Sequence, residues 1–579
     1  MVVQDQNSPM YDPLRSVWLI LRRDERRKLI GLFVLTLIGV ALDFLSLGAV
    51  LPVMTTLVQD DLSLNFLWLS LPKEESSRST ILSIALASMT GLVLLKNLFL
   101  LWSSWLQYGF SAYLNVRLST SLFRNYLLKP FSFHTRHGSA ELISNTQNAN
   151  LVITGALTPV MTLLSDILVA LSLFLLLILV EPLATLAAIS TFGVFSMLFQ
   201  RATRKRIDAW GNMGITLSRR SISLLQEGFA GIKELKVLAR EQNFVDRFEE
   251  AQRKLASANR KFGILQGVPK LVLETMALTG LSVLVVVMAS TGRSGAEILP
   301  VVALFAASAF RIAPSVNRVI TALQQIRFAL PSIRVIESEL LFPINDEMPR
   351  RSGLEFERFE MKGVSFSHEG RSKTILNGLD FTLRRGELVG IMGESGVGKS
   401  TFLDIFLGLF HQIGGEVLVN GAEIASQLRD WHRIVGYVPQ HVFLSDATIR
   451  SNVALGLADR DIDEAAVVRA LRLAQLDEFV RNLEDGLDTV VGERGIRLSG
   501  GQRQRVGIAR ALYGIPDILV FDEATSSLDS QTERAFLQSI SDLKTEYTML
   551  VIAHRKTTLK DCSRILVLEG GKLQPLDAD

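Results

Sequence analysis

At 579 residues the chain is too long for one ordinary domain. Its net charge of +3 gives no strong pull toward nucleic acid, and its single cysteine, Cys562, excludes an intrachain disulfide framework or a cysteine-rich metal site. The hydrophobic fraction of 48% is near the globular average, but apolar residues crowd into the first half of the chain.

Met1 to Ser16 is mostly polar and holds no apolar core of signal-peptide type, so residues 1–28 read as a cytoplasmic segment. About 20 apolar residues cross the hydrocarbon core as a helix. Six such segments follow: Leu29 to Leu57, Ile81 to Leu106, two passes within Leu157 to Phe199 separated at Glu181-Pro182, Phe262 to Ser290, and Ile298 to Leu323. An even count puts both ends on one side, and lysine and arginine choose that side. Arg22, Arg23, Arg26, Arg27 and Lys28 precede the first span; Arg117, Arg124, Lys129 and Arg136 follow the second; Arg201, Arg204, Lys205 and Arg206 follow the fourth. The opposite side carries Lys73, Arg78 and Arg293, so the termini are expected in the cytoplasm.

The polar stretches 108–155 and 201–260 keep helical apolar spacing with few breakers and read as helices continuing into the cytoplasm. Two prolines and mixed charge mark a linker over 341–352, which leaves 29–340 as the membrane domain. From 353 to 579 short apolar runs alternate with helical patterns, as in an α/β domain.

In that α/β part Leu388 to Met392 is a buried-strand run leading into Gly393-Glu394-Ser395-Gly396-Val397-Gly398-Lys399-Ser400-Thr401. This matches the loop whose backbone N–H groups cradle nucleotide phosphates. Lys399 brings charge to the β- and γ-phosphates, and Ser400 offers a hydroxyl to Mg²⁺. The apolar strand Ile518 to Phe521 ends in Asp522 and Glu523, the first expected to hold Mg²⁺ and the second to act as general base toward water. Leu498-Ser499-Gly500-Gly501-Gln502 opens a helix whose first amides, with Ser499, can bind a phosphate.

Together the phosphate loop and Leu498 to Gln502 resemble the ATP-binding cassette (ABC) superfamily. Fused to six spans, they resemble its exporters: a helical membrane domain joined to a cytoplasmic α/β P-loop cassette. The resemblance implies ATP and Mg²⁺ as cofactors. It makes Gln440 of Tyr437-Val-Pro-Gln440 the residue that reaches Mg²⁺ and the attacking water, and His554 of Val551-Ile-Ala-His554 the γ-phosphate contact. Ser526 to Asp529 is similar to the loop that crosses between cassettes, and Thr489 to Gly495 to the loop preceding the signature. Phe133 to Asn148 and Glu227 to Glu241 occupy the places of the coupling helices. His368 stands where the family usually stacks a tyrosine on adenine, so base contact is expected to be weaker. One chain supplies one of each motif, and the family needs two composite sites, so a homodimer with two hydrolysing sites is implied.

Ionisable residues inside spans default to functional hypotheses. Asp43 falls in the first span, Lys96 in the second, and Lys270 and Glu274 share a face of the fifth, where they can neutralise each other. Arg311 and Arg318 share a face of the sixth with no partner acid in the same span, which suits an anionic headgroup; the alternative is that they snorkel to the cytoplasmic surface. Arg311 to Ile320, the first span with Leu51-Pro52, and Leu62 to Pro72, expected as a short outer helix, resemble bacterial flippases of lipid-linked oligosaccharides. The implied function is ATP-driven movement of a polyprenyl-diphosphate-linked oligosaccharide to the outer leaflet of a bacterial cytoplasmic membrane, with membrane lipid as partner. Export of drugs, peptides or other lipids is the alternative, and an ATP-gated channel or regulator is an alternative of another class. The six spans exclude a soluble nucleic-acid-associated cassette.

Overall fold

The computed structural model describes residues 13–48, 65–66, 69–70, 78–180, 182–292, 295–340, 353–368, 374–524 and 546–576. The chain divides into two compact units, one largely before Asn345 and one from Asp346 onward. The linker read over 341–352 lies outside the described residues.

The first unit is helical: α1 (Pro13–Ile20), α2 (Arg23–Gly48), α3 (Arg78–Leu128), α4 (Ser139–Gln147), α5 (Thr158–Val180), α6 (Pro182–Ala230), α7 (Glu241–Ser290) and α8 (Gly295–Leu340). The described parts of the six apolar segments fall on α2, α3, α5, α6, α7 and α8. Among the described residues Leu86–Leu128, Ser139–Ser172 and Glu241–Ser290 are long and apolar enough to cross a membrane. Leu94, Leu98, Leu101, Trp102 and Trp105 of α3 and Leu271, Leu278 and Val286 of α7 point outward and exposed. Such an apolar exterior suits a lipid surrounding or a second protein surface. α3 has 51 residues, α6 49 and α7 50. At 1.5 Å per residue each is about 75 Å long, more than twice the hydrocarbon thickness. The polar continuations are therefore helical, as their spacing predicts. Pro182 opens α6, where its missing N–H costs no helical bond.

Small residues let these long helices approach closely. A Cβ on Gly155 would lie 2.8 Å from the Ala329 Cβ of α8, and one on Gly211 of α6 would lie 2.6 Å from the Phe328 carbonyl oxygen. Residues 153–157 form a single π-helical turn at the foot of α5. The core there joins Leu114, Leu118 and Leu122 of α3 to Val152, Ile153, Ala329 and Ile333. Arg117 Nη2 pairs with the fully buried Glu25 carboxylate at 2.6 Å and so ties α3 to the start of α2. Within Leu62–Pro72, expected as a short helix, the described residues are strands instead: Asn65–Phe66 (β1) pairs antiparallel with Leu69–Ser70 (β2). Asn65 and Ser70 compete with helical backbone bonds, and the segment is too short to offset that.

The second unit holds two sheets. The antiparallel one orders β4 (Leu376–Arg384), β3 (Arg358–Phe366), β6 (Gly414–Val419) and β7 (Ala422–Glu423). The other orders β12 (Lys572–Pro575), β11 (Arg564–Glu569), β5 (Leu388–Met392), β10 (Thr548–Ile552), β9 (Ile518–Asp522) and β8 (Val435–Val438), all parallel except β12. Leu519, Phe521, Met549 and Val551 enter one hydrophobic core, whereas Ile518, Val520, Leu550 and Ile552 enter the other. Burial on both faces explains why these strands read as continuous apolar runs. Helices α9 (Lys399–Phe406), α10 (Glu464–Leu473) and α11 (Gly500–Tyr513) pack on the unit; Phe402 and Phe406 join Phe359, Phe381 and Trp431 in an aromatic cluster.

Candidate nucleotide and substrate sites

Four adjacent parallel strands deliver the catalytic candidates to one edge of the sheet. β5 runs into the phosphate loop, β8 ends two residues before Gln440, β9 ends at Asp522, and β10 ends two residues before His554. A ligand site beyond the carboxyl ends of parallel strands follows from this order.

The loop closes as its glycines require. Gly396 and Gly398 hold φ of 79° and 115°, which a side chain would strain. A Cβ on Gly393 would meet the Leu568 carbonyl oxygen at 2.8 Å. Lys399 is the first residue of α9; its buried ammonium donates to the carbonyls of Gly393 at 2.9 Å and Glu394 at 3.1 Å. Ser400 and the Glu394 and Ser395 positions are exposed, and Thr401 is buried beneath them.

Glu523 sits at the centre. Its backbone φ is 47°, an unusual conformation for a residue with a Cβ and a form of strain associated with active sites. Its carboxylate lies 2.7 Å from His554 Nε2 and 3.6 Å from Lys399 Nζ, and it accepts a bond from Gln440 Nε2 at 3.0 Å. Three donors therefore converge on one carboxylate. The neighbouring Asp522 is pushed above the ordinary carboxylate range by burial and then by the Glu523 charge. The Tyr437 hydroxyl donates to Asp522 at 3.4 Å. Asp404, one turn along α9 from Ser400, is raised to about 6 by burial and by the charge of Asp522. Tyr437 and Asp404 were not singled out in the sequence; the signal was position, three residues before Gln440 and four after Ser400.

Among the described residues no three His, Cys, Asp or Glu side chains converge into a metal-holding set. Ser400, Asp522 and Gln440 supply one hydroxyl, one carboxylate and one amide oxygen. That set fits Mg²⁺, which keeps few protein ligands and takes the rest from phosphate and water.

Ser499, Gly500, Gly501 and Gln502 do not join this cluster. Ser499 caps α11: its hydroxyl accepts from the Gln502 N–H at 3.2 Å while the Gln502 side chain accepts from the Ser499 N–H at 2.7 Å. His368 follows β3 and meets Phe366 and Phe410 edge-on, with centroids 5.2 and 5.7 Å away. Ser526 to Asp529 lie outside the described residues.

In the membrane unit, Arg318 is not unpaired. Its Nε donates to Asp166 Oδ1 of α5 at 2.6 Å and its Nη2 to the Ser315 hydroxyl at 3.2 Å. A sequence search within the sixth span misses this acid because it comes from the third. The Asp166 side chain is 6% exposed and that of Arg318 55%. Lys270 and Glu274 stand 4.0 Å apart on α7, as their spacing predicts. The side chains of Arg311 and Asp43 lie outside the described residues. α5 and α8, which carry the pair, together with α6 and α7 border a cavity of about 800 Å³ lined by Phe174, Phe192, Met276, Leu284, Phe305 and Ile312, among others. Its threonines, Thr191, Thr275, Thr279 and Thr291, all donate their hydroxyls to carbonyls of their own helices.

Residues 29–312 match the family model of the ABC transporter transmembrane region and residues 376–526 that of the ABC transporter. The chain is 30% identical over 470 residues to an ATP-dependent lipid A-core flippase of Ralstonia nicotianae, covering 79% of this chain and 78% of that one. It is 28% identical over 577 residues to the protein of the same name in Cupriavidus metallidurans, covering 97% and 92%. Its fold is similar to that of a bacterial Atm1-family ABC exporter with ATP bound, at a TM-score of 0.79, 22% identity and coverage of 95% and 94%. The chain belongs to the ABC transporter family. It is a half-transporter with an exporter-type membrane domain fused to an ATP-binding cassette, and ATP hydrolysis by that cassette is coupled to transport.

Proposed function

We propose that the chain is a lipid flippase that carries an anionic glycolipid from the inner to the outer leaflet of a bacterial cytoplasmic membrane. The observation that carries this is the half-exposed Arg318 side chain on α8, a helix that also borders an apolar cavity of about 800 Å³. An anion-binding group beside a hydrocarbon-lined space suits an amphiphile with an acidic head. The cavity makes no polar demand, because its threonine hydroxyls are satisfied within their own helices.

Our preferred substrate is a polyprenyl-diphosphate-linked oligosaccharide, with Arg311 and Arg318 as the proposed contacts of its diphosphate. A lipid A-core glycolipid is the second reading, favoured by the names of the relatives. Competition between the two lipids for ATP-driven leaflet transfer separates them. A drug or peptide that transfers while neither lipid does would reject both.

In the cassette, Lys399 and the loop amides hold the β- and γ-phosphates, exchanging two neutral carbonyl acceptors for charged oxygens. Ser400, Asp522 and Gln440 would hold Mg²⁺, which when bound would supply charge neutralisation at those oxygens. Glu523 takes the proton of the attacking water as the water oxygen bonds to the γ-phosphorus and the bond to the bridging oxygen breaks toward ADP. Gln440 and His554 hold the Glu523 carboxylate in place, and His554 is well set to meet the γ-phosphate. Since the Ser499 and Gln502 side chains cap their own helix rather than join the Glu523 cluster, a second copy of the chain, arranged head to tail, would bring its signature to this nucleotide. A homodimer with two active sites and both termini in the cytoplasm is the resulting assembly.

A further inference from the structure

We propose that Asp166 is the built-in counter-ion that keeps the Arg318 site releasable, and so a determinant of how tightly an anionic headgroup is held. It is a positioning residue that acts through Arg318, and its assignment rests on the anionic-lipid reading above.

The geometry divides the guanidinium into two sides. One edge is fixed: Nε donates to Asp166 Oδ1 at 2.6 Å and Nη2 to Ser315 at 3.2 Å. The Asp166 side chain is nearly inaccessible, yet more than half of the Arg318 side chain is exposed. The remaining N–H donors are left to face a ligand in a fixed direction. Asp166 lies eight residues into α5, about 12 Å along the helix, with its side chain buried inside the helical unit. A carboxylate in such surroundings is costly unless paired.

The pair has no net charge, and that decides the strength of the site. A lone guanidinium in a poorly screened environment would attract a phosphate strongly and give it up slowly. A transporter must release what it binds in the opposite leaflet. With Asp166 on its other edge the guanidinium still offers directional hydrogen bonds, but most of its long-range field is cancelled. A headgroup is then recognised without being trapped.

The test is the ATPase of the full-length protein in phosphatidylcholine nanodiscs, titrated with polyprenyl diphosphate and, as an uncharged control, with polyprenol. Asp166→Asn removes the charge and keeps the shape. The diphosphate concentration giving half-maximal stimulation should fall by roughly tenfold, the size of one partly screened charge interaction. Maximal stimulation should fall with it as release becomes slow, and the polyprenol response should not change. Asp166→Glu should restore values near the wild type. Should the asparagine variant fail to fold, Asp166→Ser leaves a hydroxyl for the guanidinium and carries the same expectation. An unchanged or raised half-maximal concentration, or an equal loss with both lipids, would overturn the proposal and leave Asp166 a structural residue. A wild type that does not distinguish diphosphate from polyprenol would instead reject the anionic-lipid reading itself.

Discussion

His554 Nε2 stands 2.7 Å from the Glu523 carboxylate because each residue emerges just past the end of one of two neighbouring parallel strands, with Ile552 paired to Asp522 in register. Gln440 reaches the same carboxylate from the next strand, β8. Sheet order thus converts three distant stretches of chain into one site.

Glu523→Gln should keep ATP binding and lower hydrolysis by about 10²–10³-fold, the usual worth of a general base. It should also trap a closed dimer in the presence of ATP. Steady-state phosphate release together with nucleotide retention on the purified protein checks this. Turnover near the wild-type rate would remove Glu523 from the role of base.

His554→Ala removes one of the three donors on Glu523 and the proposed γ-phosphate contact. Turnover should fall by about 10–100-fold with little change in ATP affinity, because the lost interaction matters most in the transition state. A large loss of affinity with unchanged turnover at saturation would show that His554 serves ground-state binding instead.

Asp404 links stability to pH. Its folded pKa, about 6, lies above the ordinary carboxylate value, so the native state holds this proton more tightly than the unfolded chain does. Native stability from this group is therefore present at low pH and is lost as pH rises from about 4 to 6, after which it stays flat. Asp404→Asn should raise the thermal midpoint of the cassette at pH 7.5 and leave it nearly unchanged at pH 4.5. A lower midpoint at pH 7.5 would mean that the ionised carboxylate is a stabilising ligand there.

Cys562, the sole cysteine, is raised to about 12 by burial, with the Asp561 charge adding to the effect. At pH 8 almost none is thiolate, the nucleophilic form. Maleimide labelling should be slow in the native protein and fast once it is unfolded in detergent and urea. Rapid native labelling would show that the segment around Cys562 opens readily.

Gly211→Val tests the close approach of α6 and α8. The obstacle is a backbone carbonyl 2.6 Å from the new Cβ, which no side-chain rotation can relieve. Overpacking of this kind costs about 2–3 kcal/mol and should lower the thermal midpoint of the membrane unit by several degrees. An unchanged midpoint would mean that the two helices separate without penalty.

Much of this site is legible in the amino-acid sequence because the chemistry sits just beyond apolar strands: Gly393 after Met392, Asp522 after Phe521, His554 soon after Ile552. Local pattern and function coincide there. The long helices α3, α6 and α7 are legible for the same reason, since period and length persist across the change from apolar to polar residues. The Arg318–Asp166 pair is not, because it joins residues 152 positions apart on separate helices and leaves no periodic trace. The pairing of Asn65–Phe66 with Leu69–Ser70 escaped because a short apolar run fits helix and strand equally well. Asp404 escaped because its neighbour Asp522 comes from a distant strand.

The most direct test is leaflet transfer. The purified protein in liposomes, supplied with labelled polyprenyl-diphosphate oligosaccharide, should move the lipid between leaflets only with ATP and Mg²⁺, and Glu523→Gln should abolish the movement. Vigorous ATP hydrolysis without transfer of this lipid, or of a lipid A-core glycolipid offered in its place, would contradict the flippase assignment and leave an ABC transporter with another cargo.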